Sequence, residues 1–214
     1  EQQTKGKGRL GRVWKSKSGD GIWMSLIIKP KIEPYKAPFL TLVAGASVVK
    51  ALSNLGVEAS IKWPNDIIVH NKKICGILTE LSAEMERVNY VVIGIGINIK
   101  TIDFPDEIKE KATSLYKEGY KLSRVEIVRQ FCIEFEKLYK GYILDGNKQD
   151  TLELCRKYSA IIGKQVYVIK NNKRELVKCI DINENGNLIV KEKNGEIQEI
   201  MSGEVSIRGV KGYV

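Results

Sequence analysis

A chain of 214 residues with 43% hydrophobic and 29% charged composition can bury a real core and divide into one large domain, or one large and one small. No uninterrupted apolar run approaches the ~18 residues of a membrane span and no charged-then-apolar signal segment opens the chain, so a soluble, cytoplasmic protein is expected. Cys75, Cys132, Cys155 and Cys179 are far apart with only His70 to supplement them, which argues against a disulfide framework or zinc site, while 35 Lys plus Arg against 26 Asp plus Glu give a formal charge of +9 and favour an anionic partner.

The chain begins at Glu1, without an initiator Met, inside a Gln-, Gly- and Lys-rich segment, and an N-terminal piece is expected upstream. Residues 21–29 (GIWMSLIIK) are apolar and stop at Pro30, as a buried strand does. Residues 38–56 place apolar side chains on a helical stripe between a Pro and a Gly, which predicts a helix packed on a sheet. Short apolar runs at 59–62, 66–69, 73–81 and 90–99 are separated by Pro64-Asn65, His70-Asn71 and a polar stretch near Glu84, the pattern of consecutive strands with mainly antiparallel neighbours. Ser123 opens a second helical pattern with Glu126 three residues on, a capping box, and residues 149–159 form a further short helix.

From Gly163 the character changes to short strand-like runs (VYVIK, RELVKCIDI, NLIVKEK, EIQEIM, EVSIR) punctuated by Asn-Asn, Asn-Glu-Asn-Gly and Asn-Gly. They predict a small antiparallel barrel or sandwich of roughly 50 residues, the lower end of what folds alone. The expected organisation is therefore α+β: residues 1–162 as a mainly antiparallel sheet flanked by helices, and residues 163–214 as a small β-domain.

Three segments carry candidate chemistry. In Gly6-Lys7-Gly8-Arg9-Leu10-Gly11-Arg12-Val13-Trp14, glycines let backbone N–H groups approach an anion while Lys and Arg neutralise it. A flexible basic terminus explains the same pattern equally well. Trp14 either stacks on a nucleobase or anchors the loop. The loop lacks a Gly-Lys-Ser/Thr ending and does not join a strand to a helix, so neither nucleotide-binding fingerprint fits. In Lys62-Trp63-Pro64-Asn65-Asp66 the turn explains Pro64 and Asn65, whereas Asp66 could bind Mg²⁺ or orient an amine and Lys62 could hold an anion. Lys73 lies on an apolar strand, either snorkelling at an edge or pointing into a pocket. Glycines inside Gly94-Ile95-Gly96-Ile97-Asn98 mark a bulge or a close approach by backbone or ligand.

Together Gln2-Gln3-Thr4-Lys5-Gly6-Lys7-Gly8-Arg9, Lys62-Trp63-Pro64-Asn65-Asp66, Lys73-Ile74-Cys75-Gly76-Ile77-Leu78 and Gly94-Ile95-Gly96-Ile97-Asn98, in this order and spacing, resemble the biotin protein ligase family. The C-terminal strands, with Met201-Ser202-Gly203-Glu204-Val205-Ser206-Ile207-Arg208, resemble its small SH3-like barrel. The resemblance implies a class II synthetase-like catalytic fold, biotin as substrate, ATP with Mg²⁺, and a biotin carboxyl carrier protein as acceptor. It implies that Gln3, Gly6, Lys7, Gly8, Arg9, Lys73, Gly76 and Gly94 contact biotin, and that Arg9, Arg12, Trp14, Lys62, Asn65, Lys73 and Asn98 lie near the adenylate. Homodimerisation through the main sheet is implied by relatives alone. Lys7 stands where the family usually has Arg, which keeps the charge and loses the planar fork. The family's Ser-Thr-Asn biotin-binding segment is not among these residues.

The implied chemistry joins two anions: biotin's carboxylate attacks the α-phosphate of ATP to give biotinyl-5′-AMP and pyrophosphate. Lys73, Arg9 and Mg²⁺ would neutralise the charge of that step. An acceptor lysine then attacks the activated carbonyl, with Asp66 as candidate to orient or deprotonate it. His70 is expected to be solvated, Cys75 to be a small core residue, and the lysines around 109–121 to be solvated surface. A lipoate ligase would use the same adenylation logic and is the nearest alternative. A basic nucleic-acid-binding module is the alternative from another class, although no row of exposed aromatics for base stacking is evident.

Overall fold

The structure is a computed structural model that describes residues 1–8, 11, 13, 14, 16–170, 173–203, 205–210 and 212–214. Strands β1 (Gly6–Lys7) and β2 (Val13–Trp14) form a two-stranded antiparallel ribbon. The main sheet contains β3 (Gly21–Ile28), β4 (Ser60–Lys62), β5 (Asp66–Val69), β6 (Lys72–Ala83) and β7 (Val88–Asn98), in the order β3-β7-β6-β5-β4. Every pairing in it is antiparallel. The strands fall where apolar alternation placed them, and the β5–β6 hairpin turns on His70 and Asn71 with φ of 46° and 63°, the positive φ that a two-residue hairpin loop requires at both positions.

One face of this sheet is covered by α1 (Phe39–Asn54). A single apolar stripe was expected there, but twelve of its sixteen residues are buried, because α2 (Arg124–Leu144) covers the side away from the sheet. The stretch Pro34–Asn54 is long and apolar enough by length and composition to cross a membrane, yet 72% of its most apolar window is buried inside the fold, as in a core helix. Helix α2 is the amphipathic one: Ile127, Phe131, Phe135, Leu138 and Tyr142 form its buried stripe, and the Tyr142 ring meets that of Phe39 at 4.7 Å. Its start at Arg124 follows Ser123 as expected, and Ser123 has the extended backbone of an N-cap, but the capping box does not form because its side chain makes no cap hydrogen bond.

Helix α3 (Gln149–Lys157) leads to a second antiparallel sheet of β8 (Gln165–Lys170), β9 (Lys173–Ile182), β10 (Leu188–Lys191), β11 (Ile197–Ile200) and β12 (Ser206–Gly209), in the order β11-β10-β9-β8-β12. Five residues join its two edge strands, a connectivity that suits an SH3-like barrel, although no β11–β12 pairing is found among the described residues. The expected Asn171-Asn172 turn lies outside the described residues. The small sheet is docked on the large one: Trp63, 1% exposed, donates its indole N–H to Gly186 O at 3.0 Å, and Arg156 donates to Asp181 at 2.8 Å.

Candidate active site

The site follows from the alternation of β6 and β7. Ile77, Ile93, Ile95 and Ile97 point toward α1 and are at most 2% exposed. Their neighbours face the other way, in register as Gly76 with Gly96, Leu78 with Gly94 and Glu80 with Val92. Strand β3 extends the same face, pairing Trp23 with Gly96 and Ser25 with Gly94. Three glycines therefore leave a trough in an otherwise side-chain-covered surface, and the β1–β2 ribbon lies over it. The result is a cleft of about 320 Å³ whose walls include Gln3, Lys7, Gly8, Trp14, Trp23, Met24, Leu78 and Val92, with Glu80 at its edge. Lys7 and Glu80 form an exposed ion pair at 3.7 Å.

A second cleft of about 320 Å³ adjoins the first between the two sheets. Its walls carry four cations, Lys62, Lys73, Lys111 and Arg208, and one carboxylate, Asp66, together with Trp14, Pro64 and Tyr213. Gly8, Trp14, Asn65 and Lys73 border both clefts, so Lys73 stands at their junction.

The position of Lys73 is determined on its backbone and its side chain. Its N–H donates to Lys111 O at 2.8 Å and its carbonyl accepts from Thr113 N–H at 2.9 Å, so the loop 105–120 straps this strand end. That loop is tied in turn by Glu118, which accepts from Thr113 Oγ1 and pairs with the exposed His70, both at 2.5 Å. The ammonium of Lys73 pairs with Asp66 Oδ1, and the hydroxyl of Tyr213 donates to Asp66 Oδ2. Burial works against the Asp66 charge, but Lys73, the Tyr213 hydroxyl and Lys62 outweigh it and hold the carboxyl below the usual aspartate range. Lys62, 3% exposed, places its Nζ 3.4 Å from the centroid of the Tyr213 ring.

Of the residues expected in a site, Gln3, Lys7, Gly8, Trp14, Asn65, Lys73, Gly76, Gly94 and Asn98 line the first cleft, and Lys62 and Asp66 the second. Gly6 lies in the ribbon, where a Cβ would sit 2.4 Å from Trp14 O. Arg9 and Arg12 lie outside the described residues. Asn98, expected near a nucleotide, sits in the first cleft with its amide donating to Thr113 O at 3.0 Å, and Asn65 donates to Ile77 O at 2.8 Å. Both amides therefore hold loops as well as border a cavity. Cys75 is buried in the core, which pushes its thiol up to about 12 and leaves it inert. Trp23 and Glu80 could have been found by counting alternate positions along their strands. Arg208 and Tyr213 come from the far sheet, and Lys111 is solvent-exposed, as expected, while also bordering the second cleft through the folding of its loop. Among the described residues no three His, Cys, Asp or Glu side chains converge as a metal site.

A glycine-floored apolar trough is thus joined through one lysine to a cleft with four cations and one carboxylate. Residues 1–98 match the Biotin/lipoate A/B protein ligase family and residues 161–208 the Biotin protein ligase C terminal domain. The biotin protein ligase from Aquifex aeolicus, solved in complex with biotin and ATP, superposes with a TM-score of 0.84 at 31% identity, over 97% of this chain and 86% of that one. The chain belongs to the biotin protein ligase family. It is similar to the bifunctional ligase/repressor BirA of Bacillus subtilis, 41% identical over 211 residues, which cover 97% of this chain and 64% of that protein. The human biotin–protein ligase is 29% identical over 207 residues, 92% of this chain and 28% of the human protein. The chain thus spans about two thirds of the length of its Bacillus relative.

Proposed function

We propose that this chain forms the catalytic and C-terminal parts of an ATP-dependent biotin protein ligase, which makes biotinyl-5′-AMP and passes the biotinyl group to a lysine of a biotin carboxyl carrier protein. The observation that carries the reading is Lys73 at the junction of the two clefts. Biotin's bicyclic ring suits the trough over Gly76, Gly94 and Gly96, and its carboxylate then reaches Lys73. ATP, as its Mg²⁺ complex, suits the second cleft, where Lys62, Lys111 and Arg208 face the phosphates and Trp14 borders the base or sugar. The carboxylate oxygen attacks the α-phosphorus, the bond to the bridging oxygen breaks, and pyrophosphate leaves while Lys73 neutralises both anions. The β1–β2 ribbon over the trough, with Gln3, Lys7 and Gly8, keeps water from the mixed anhydride. Arg9 and Arg12 belong to the same loop and are assigned the adenylate by family resemblance.

In the second step the acceptor amine attacks the biotinyl carbonyl and AMP leaves. Asp66 acts here by holding Lys73 in place: both its oxygens are engaged and its pKa is lowered, which makes it a weak proton acceptor. The lipoate reading is disfavoured by the biotin-specific match over residues 161–208. The repressor activity in the name of the Bacillus relative is not assigned to any residue described in this chain. An ATP-dependent carrier modification fits a cytoplasmic setting, and the outer edge of β3, which pairs with no second strand among the described residues, fits a homodimer contact.

Biotin-dependent exchange of labelled pyrophosphate into ATP tests the proposal, with lipoate as control acid. Exchange with biotin alone is expected; exchange with lipoate alone, or with neither acid, would overturn it.

A further inference from the structure

Tyr213 touches three of the charged groups that line the second cleft. Its hydroxyl binds Asp66, its ring carries the Lys62 ammonium at 3.4 Å, and the Arg208 guanidinium lies 5.7 Å from the same ring. The side chain comes from the C-terminal sheet and is 9% exposed. A tight return of the chain after β12 places it there, with a bridge between Gly209 and Gly212. Tyr213 borders the second cleft and is absent from the walls of the first.

We propose that Tyr213 is a positioning residue for the nucleotide half of the reaction, holding Asp66, and through it Lys73, while orienting Lys62. With Lys73 on one carboxylate oxygen and Tyr213 on the other, Asp66 has no freedom to turn and draw the Lys73 ammonium away from the junction. An aromatic face attracts an ammonium through its ring quadrupole, which fixes where the Lys62 ammonium stands in the cleft. The C-terminal sheet thereby acts on ATP binding through Lys62 and Asp66, and reaches the biotin carboxylate only through Lys73.

The inference rests on the ligase reading, and its test separates the two. In the full-length protein, KM for ATP and KM for biotin are measured by pyrophosphate exchange, and biotin affinity by calorimetry, for wild type, Tyr213→Phe and Tyr213→Leu. Loss of one charge-assisted hydrogen bond should raise KM for ATP about tenfold in Tyr213→Phe. Tyr213→Leu, which also removes the ring from Lys62, should raise it further, with biotin affinity falling by a clearly smaller factor in both, since Lys73 also meets the biotin carboxylate. Unaltered ATP parameters in both variants, an equal loss for both substrates as expected of a mere docking contact, or tighter ATP binding as expected of a plug would each overturn the inference and leave the ligase reading standing. No biotin-dependent exchange in wild type would overturn both.

Discussion

Lys73 lies across Gly76, so that a Cβ built on the glycine would sit 2.8 Å from the lysine Nζ and 3.0 Å from its Cε. The glycine's missing side chain is the space the lysine occupies, and the atom in conflict is the far end of a flexible chain. Gly76→Ala is therefore expected to displace the ammonium while leaving the fold intact. Pyrophosphate exchange should fall by about ten- to a hundredfold, as when one electrostatic stabiliser of a transition state is lost, with urea unfolding changed by under ~1 kcal/mol. A variant with wild-type exchange would show that Lys73 can act from another position.

Gly94 supplies the opposite case. A Cβ there meets only Leu78, at 3.5 Å from its carbonyl oxygen and 4.0 Å from its Cβ, which are ordinary contacts. Its added methyl group would rise from the floor of the trough and occupy ligand space alone. Gly94→Val should weaken biotin binding by at least about tenfold in calorimetry and leave KM for ATP near that of wild type. Unweakened biotin binding would move the ligand off this part of the floor.

The contrast between these two glycines shows what could be read before the structure. Gly94 stood out as a glycine in a strand-like run, because a strand interior without a Cβ signals a close approach, whereas Gly76 was marked only by the family resemblance. Which of them makes room for a protein side chain and which for a ligand depends on the β6–β7 register, where Gly76 meets Gly96 and Gly94 meets Leu78. The main sheet was legible because one face is buried and its isoleucines alternate. The β1–β2 ribbon was not, since two-residue strands are too short for periodicity. Lys111 could not be told from its solvated neighbours, because its place comes from the loop's backbone bonds to Lys73. Arg208 and Tyr213 required the docking of two sheets, which no local pattern encodes. At Ser123 the pattern promised more than the structure delivers, as the helix begins there without its side-chain cap.

The ion pair between Asp66 and Lys73 should make stability depend on pH in one direction. Asp66 has a folded-state pKa below its unfolded value, so its contribution is fully present above the unfolded value near 3.9 and is lost as pH falls through the lowered folded value. Asp66→Asn should cost about 2 kcal/mol at pH 7. The difference from wild type should shrink as the pH is taken below 4, because wild type then loses the same charge. Urea unfolding at pH 7 and at acid pH reads both. A cost that stays constant into the acid range would mean that the carboxylate charge is not what stabilises this corner.

Trp63 couples the turn that carries Asn65 and Asp66 to the second sheet, through its hydrogen bond to Gly186 O at 3.0 Å. The indole is buried, so Trp63→Phe keeps most of the apolar contact and strands a carbonyl without its donor. That should cost about 1–3 kcal/mol, and the loss should fall on the docking of the two sheets. If the second sheet brings Arg208 and Tyr213 to the nucleotide cleft, the same substitution should raise KM for ATP more than it lowers biotin affinity. Hydrogen exchange should report faster opening along β9 and β10 than along β6 and β7. Equal opening in both sheets would mean that the bond stabilises the whole chain as one unit, and the nucleotide effect would then have no route through Trp63.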